Sequence, residues 1–542
     1  MTQRWGTRVG LILAMAGNAV GLGNFLRFPA QAIQNGGGAF IIPYLVSFVV
    51  MGVPLLWVEW AIGRHGGQFG HHSTPGMFDR LGSSHWLKYI GVFGLFTNLC
   101  IASYYVYIES WALAYVWHSL MGTFGHIEAS VFFSHYIGTA PGGLAAWPAE
   151  AIFWFLLTLV MNTWILSRGL TRGIEAAARI GMPLLIMFAI ILVIRGLLLG
   201  PGDLHVVESP LAGLNFIWQP RTAGFLNPST WLAAAGQIFF TLSLGMGSIH
   251  CYASYLREQD DIALNAASAG WLNEFVEVVL GGSLIIPIST AYLGLAAVTA
   301  ATSSGSGFTL GFLTLPMLFG NWGWFAPLAG AMWFGLLFFA GITSSLAMGQ
   351  PIVTFLEDEF GLRSARASQT FGLAAAGLGL FCVVFYPSGA FDEFDFWAGT
   401  FSLVIFALAE AFVFSWIFPL ETGWAEINRG AQLKIPHIFR VLIGYITPAF
   451  LLVIFLGAVF KPSREWPTAF ASLLEGHGWG LSPDSVLGRV MHAGEAHYVW
   501  FNVQGMPTRD FIIDMTRVLL TLVFVGFALL VRIAWKRRST NP

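Results

Sequence analysis

Charge is what this sequence has least of. Only 10% of its 542 residues are Asp, Glu, Lys or Arg, against 56% apolar and 15% aromatic residues and a mean hydropathy of +0.69. Such a chain cannot form the three or four soluble domains that its length would allow, and its main solvent is lipid. The formal net charge of −2 leaves no basic surplus, and Lys and Arg form no tract before the final residues, which excludes nucleic acid as a partner. Cysteine is nearly absent too. Cys100, Cys251 and Cys382 lie in or beside apolar stretches without CxxC spacing, so free thiols are expected rather than disulfides or zinc. No signal-peptide cleavage site follows Arg4 and Arg8, and Gly17, Asn18 and Gly21 break the next apolar run, so this run reads as a first spanning helix.

What is abundant agrees. The 63 glycines suit close helix packing in lipid, and the 48 Phe and 22 Trp suit interfacial belts. A hydrocarbon core of about 30 Å needs roughly 20 helical residues to cross, and about twelve apolar stretches meet that length: 9–34, 39–63, 88–120, 148–167, 178–200, 229–256, 262–295, 325–356, 366–386, 395–418, 436–461 and 510–534. With both termini cytoplasmic, most of the 26 Lys and Arg fall on inner segments, whereas 121–147 and 296–324 have none and are rich in Gly, Ser, Thr and Pro. Those two read as outer loops, and 462–509 as the longest outer loop.

Two candidate helices interrupt themselves, at GNAVGLGN (17–24) and TLSLGMG (241–247). Glycine inside a helix costs roughly 1 kcal/mol relative to alanine, and a break facing lipid strands backbone groups at several kcal/mol each. A break facing a polar cavity instead offers carbonyls to a hard cation and helix N-termini to an anion, the chemistry of a site for a zwitterion plus a cation. The Gly17–Gly21 spacing also fits plain close helix contact. The breaks recur in helices one and six, five apart, which points to an inverted-repeat transporter: 1–200 and 201–420 as two five-helix repeats, 421–542 as two further helices with the long outer loop.

The stretch RWGTRVGLILAMAGNAVGLGNFLRFPAQAIQNGGGAFIIPY closely resembles the start of the neurotransmitter:sodium symporters, especially their bacterial leucine-transporting branch. YYVYIESW (104–111), GQIFFTLSLGMG (236–247), YASYLREQD (252–260), LNEFVEVVLGGS (272–283), FFAGITSSLAMGQP (338–351), FDFWAGT (394–400) and EINRG (426–430) extend the resemblance. It implies an all-α fold of twelve transmembrane helices with a five-plus-five inverted repeat, in the bacterial inner membrane, and it admits a homodimer.

Carried over by position, the resemblance implies a carboxylate site at the Leu22 and Gly23 amides and the Tyr105 hydroxyl. An ammonium site falls at the Ala19 and Phe240 carbonyls with the Thr241 and Ser243 side-chain oxygens, all of them acceptors, and Asn18 is a further substrate contact. The side-chain pocket is Ile101, Tyr105, Phe240, Ser243, Met246, Ser344 and Met348, where two flexible methionines replace more rigid residues of the family. Two sodium sites follow: Ala19, Asn24, Thr241 and Asn273, then Gly17, Val20, Ala340, Thr343 and Ser344. Arg27 with Asp395 is the expected outer gate. At the inner gate the family's arginine is replaced by Thr2, so Arg4, beside Trp5, is expected to pair with Asp358. Gly21 stands where amine-carrying relatives place aspartate, so the substrate brings its own carboxylate. Glu277 stands where chloride-dependent relatives have serine, which implies chloride-independent uptake. A small to medium apolar amino acid of the leucine, alanine or methionine type is the expected cargo. Readings that compete are a non-transporting receptor, a proton-coupled carrier on the same fold, against which Thr343 and Ser344 speak, and a membrane enzyme using His71, His72 and Ser73, which lack metal spacing or a nucleophile elbow.

Overall fold

The computed structural model describes residues 4–139, 148–304, 307–492, 499–501 and 508–540. Among these residues the fold is predominantly helical, and ten helices are long and apolar enough to cross a membrane, or eleven with one bent pair. That pair is α1a (Arg8–Ala19) and α1b (Leu22–Gln34), bent by 49°. Then come α2 (Gly38–Gln68), α3 (Leu87–Leu120), α4 (Ala149–Ser167) and α5 (Leu170–Leu197). A second broken helix, α6a (Pro228–Thr241) and α6b (Ser248–Ala253), has pieces too short to count alone and completes the expected twelve. The rest are α7 (Ile262–Leu293), α8 (Ala326–Phe360), α9 (Ser364–Val384), α10 (Ala390–Ile417), α11 (Ile438–Val459) and α12 (Arg509–Arg538).

Burial sorts these helices into two shells. The apolar windows of α3 and α7 are 83% and 89% buried, whereas α4, α5, α11 and α12 bury a third or less and keep their apolar faces for lipid. At the centre α8 runs along α3, close enough at Gly341 that a Cβ there would lie 2.8 Å from the Glu109 side chain. Glu109 itself accepts from the Asn162 amide at 3.1 Å, so this buried carboxyl joins α3 to α4.

Segment 296–324 differs from the expected loop. It folds into short helices, Leu295–Ser304, Thr309–Thr314 and Leu315–Phe319, because Leu310, Phe312, Leu315 and Leu318 bury against the bundle. Segment 462–509 contains Trp466–Leu474 and Val486–Val490, and its Arg489 reaches Glu393 of α10 at 3.1 Å. Parts of the outer segments expected at 121–147 and 462–509 lie outside the described residues.

Candidate functional site

Both breaks face the bundle interior, and neighbouring side chains satisfy the backbone they free. At the first, the Gly21 amide donates to Asn24 Oδ1 at 2.8 Å and the Leu22 amide to the Tyr105 hydroxyl at 3.0 Å. At the second, the Met246 carbonyl accepts from Asn98 at 2.7 Å and Thr97 at 3.1 Å, while the Gly245 amide donates to Glu59 at 2.7 Å. Ser243 (φ 55°), Gly245 (φ 67°) and Gly247 (φ 96°) turn the chain through left-handed conformations. For a serine that geometry is uncommon, and it persists because Ser243 Oγ is tied across to the Asn18 carbonyl at 3.0 Å.

Where the breaks meet lies a cavity of about 310 Å³ with an open mouth, and all twelve substrate contacts implied by the sequence line it. Asn18, Ala19, Leu22 and Gly23 come from helix 1, Ile101 and Tyr105 from α3, Phe240, Thr241, Ser243 and Met246 from helix 6, and Ser344 and Met348 from α8. Asn18 also offers a buried side-chain amide nitrogen without a hydrogen-bond partner. Gly21 sits so close to α3 and α8 that a Cβ would lie 2.6 Å from the Tyr105 hydroxyl and 3.1 Å from Ser344 Oγ. Gly21→Ala is therefore expected to displace the tyrosine from the Leu22 amide and lower amino-acid affinity at least about tenfold, the cost of one lost buried hydrogen bond. Equilibrium binding of a labelled amino acid to purified protein checks this.

The oxygen donors expected around cations converge in two groups. Asn24 Nδ2 lies 3.2 Å from Thr241 Oγ1, 2.8 Å from Asn273 Oδ1 and 3.2 Å from Glu277 Oε2. Glu277 also accepts from Gln237 at 2.6 Å and from Thr241, and all five side chains are buried. In the second group Ser344 Oγ contacts the Gly17 carbonyl at 3.2 Å, and Thr343 Oγ1 bonds one turn back to the Phe339 and Ala340 carbonyls. A Cβ on Gly17 would lie 2.9 Å from Thr343, so α1a and α8 are in close contact beside the Val20 break. Close packing and the helix break thus coexist in the Gly17–Gly21 spacing. Both donor sets, hydroxyl, amide and carbonyl oxygens, suit a hard monovalent ion.

At the mouth, Arg27 lies over the Phe240 ring at 4.3 Å, and Asp395 accepts from the Tyr104 hydroxyl at 2.8 Å. Both line the cavity, and each has its own partner.

The opposite end is shut. Trp5 Nε1 donates to the Tyr252 carbonyl at 3.0 Å, with the two rings edge to face. The expected pairing of Arg4 with Asp358 is not formed: Asp358 accepts the His72 backbone amide at 2.9 Å, and Arg4 is exposed with its carbonyl held by Thr171. Other contacts anchor the N-terminal segment. Glu175 accepts from the Gly6 amide at 2.9 Å and Thr7 Oγ1 at 3.1 Å, and Arg8 reaches Asn265 at 2.8 Å. These pairs join residues 168 or more apart that have no local motif, and only the unusual acid inside the basic stretch 168–179 gave a sign of Glu175.

His71 and His72 belong to this closed end. His72 stacks on Tyr255 at 4.4 Å and contacts Ser254 Oγ at 2.8 Å, while His71 lies between Arg80, Arg538 and Glu359. Burial, and for His71 the nearby arginines, push both imidazoles from the ordinary 6.5 down to about 4. Folded protein therefore holds them neutral where the unfolded chain protonates them. Their contribution to stability is present above about pH 6.5 and is lost as pH falls toward 4, so the melting temperature is expected to decline over that window and the decline to be smaller in His72→Gln.

The profile of the sodium:neurotransmitter symporter family matches residues 2–136 and 145–488, and the chain belongs to that family. Members are sodium-dependent transporters, not enzymes. An uncharacterized sodium-dependent transporter of Methanocaldococcus jannaschii is 31% identical over 471 residues, 84% of this chain and 90% of that protein. The sodium-dependent nutrient amino acid transporter 1 of Drosophila mojavensis is 25% identical, covering 88% of this chain and 79% of its own. Among solved structures, that of MhsT in complex with L-phenylalanine is similar with a TM-score of 0.71 and 29% identity, over 84% of this chain and 99% of that one.

Proposed function

We propose that this chain is a symporter carrying a small to medium apolar amino acid inward with two sodium ions, independently of chloride, across the bacterial inner membrane. The observation that carries this reading is the meeting of the two broken helices at one cavity, where the Leu22 and Gly23 amides, Tyr105 and the helix-6 oxygens give opposite ends of a zwitterion their own partners. Asn24, Thr241 and Asn273, with the Ala19 carbonyl, hold the first sodium, and Gly17, Val20, Ala340, Thr343 and Ser344 the second. Substrate carboxylate completes the first sodium site, which makes the two affinities reciprocal. The cavity mouth faces outward and both termini inward, with 1–200 and 201–420 as inverted repeats. Arg27 leaving the Phe240 ring for Asp395 closes the mouth, and separation of Trp5 from Tyr252 opens the other end.

Met246 and Met348 set the cargo. A flexible pocket of this volume accepts leucine and methionine, and the relative solved with L-phenylalanine extends the class to aromatic side chains. Met246→Phe is expected to lower phenylalanine uptake roughly tenfold while sparing alanine, as overfilling a packed site costs about 1–3 kcal/mol. Competition by a panel of unlabelled amino acids reads this directly. The defining experiment is uptake of labelled amino acids into proteoliposomes. Accumulation under an inward sodium gradient with gluconate in place of chloride is expected, and its absence for every amino acid would overturn the symporter reading.

A further inference from the structure

Behind the helix-6 break lies a cluster that the transport site does not use. His250 of α6b stands between two carboxylates, with Nδ1 3.4 Å from Glu59 of α2 and Nε2 3.3 Å from Glu410 of α10. All three residues have no solvent exposure, and their ligand atoms lie within 4.8 Å of one another. Glu59 Oε1 receives the Gly245 amide of the break, whereas Glu59 Oε2, both imidazole nitrogens and both Glu410 oxygens have no hydrogen-bond partner. The rings of Phe78 and Phe406 flank the imidazole at 6.1 and 5.8 Å.

Counted with both carboxylates ionised and a neutral imidazole, the cluster holds two negative charges in a dry interior. Among the described residues no cation faces it. Arg64 on α2 is turned to Glu426, His65 to the rings of Phe69 and Phe418, and Asp79 of the neighbouring short helix to Trp535. Cys251 beside His250 contacts Thr354, and Tyr255 stacks on His72. Two buried, uncompensated charges are untenable inside a membrane, so something positive must bind. The two imidazole nitrogens address two different carboxylates. Each of these contacts can share a proton between a nitrogen and a carboxylate oxygen; one ligand atom from each residue also lies within reach of a common point, and metal retention is therefore an outcome that the experiment tests.

We propose that Glu59, His250 and Glu410 form a proton-binding site coupled to the helix-6 break. The proton is held while the inner end is shut. Opening that end separates Trp5 from Tyr252, two residues beyond His250, and moves α6b. Water then reaches the cluster, one proton passes from it to the inner solution, and its charge goes from −1 to −2. Resealing requires a proton to return from the same side, so inner pH governs the reset of the carrier.

The inference rests on the symporter reading for its trigger, and the experiment separates the two. Purified protein in weakly buffered solution with a pH dye receives sodium and the transported amino acid, while calorimetry of the same sample records their binding. Release of about one proton per chain is expected. Glu410→Gln is expected to abolish it, because one carboxylate beside a neutral imidazole needs no extra proton. Glu59→Gln, which keeps a carbonyl for the Gly245 amide, is expected to behave alike, and Glu109→Gln, at a buried carboxyl outside both sites, to retain the release. In infrared difference spectra the protonated-carboxyl band is expected to vanish in Glu410→Gln. Binding without proton release, release that survives in both cluster variants or is lost equally in Glu109→Gln, or one equivalent of zinc retained through purification would each overturn the proposal. Absence of binding itself would count against the symporter reading instead.

Discussion

Glu277→Ser is expected to make uptake depend on chloride. Glu277 is buried, one turn beyond Asn273, and its carboxylate accepts from Asn24, Thr241 and Gln237 within the first donor set. Its carboxylate touches all three side chains of that proposed sodium site. Removing such a charge beside a buried cation costs about 3 kcal/mol, roughly a hundredfold in sodium affinity, unless another anion takes its place. A serine hydroxyl beside the Gln237 amide that Glu277 now holds is a fitting cradle for chloride. Uptake by the variant in gluconate should therefore fall to near background and recover in chloride, while the parent protein is indifferent. Equal uptake by the variant in both media would remove Glu277 from the charge balance.

Arg64→Ala is expected to be the most destabilising single change at the closed end. Arg64 is fully buried at the end of α2, 2.7 Å from Glu426, and it donates to the Asp260 carbonyl at 2.6 Å and to the Glu426 and Arg429 carbonyls. One guanidinium thus ties α2 to the connection between helices 6 and 7 and to the EINRG segment before α11. Glu426 then keeps only the more exposed Arg429 and Gln68, each at 3.4 Å, and losing its buried partner costs about 3 kcal/mol. Thermal unfolding followed by tryptophan fluorescence in detergent should show a large drop in melting temperature, and Arg64→Ala combined with Glu426→Gln should recover part of it, because the stranded charge is gone. Equal melting of the single and double variants would assign the loss to packing alone.

Most of the spans were legible in the sequence because a lipid-facing helix must be long, apolar and internally hydrogen-bonded, which leaves few alternatives. The breaks were legible for the same reason in reverse: glycines at 17, 21, 23, 245 and 247 are expensive in a spanning helix and so mark purpose. Those positions, with the motifs around Tyr105 and Ser344, placed every cavity-lining residue that the resemblance implied. Segment 296–324 reads as a loop because its apolar runs are shorter than a span and its Gly, Ser and Thr content is loop-like, whereas burial of Leu310, Phe312 and Leu315 decides its shape. The closed end was hardest. Glu175 with Thr7, Arg8 with Asn265 and His250 with its two carboxylates are pairings of distant polar residues, and neither hydropathy nor period reports them.

Much of the proposed ion recognition at the two breaks falls to main-chain oxygens, at Gly17, Ala19, Val20 and Ala340, whereas the cargo pocket is lined by side chains from α3, helix 6 and α8. No single codon change deletes a peptide carbonyl. A saturation scan of this protein should therefore divide into two vocabularies: substitutions at Ile101, Met246 and Met348 rewrite which amino acid is carried, and substitutions at Gly17, Ala19 and Val20 act only by bending the scaffold. On this proposed assignment part of the coupling ion's recognition is written into the backbone, and new specificities can be grafted onto the pocket without re-inventing the motor that drives them.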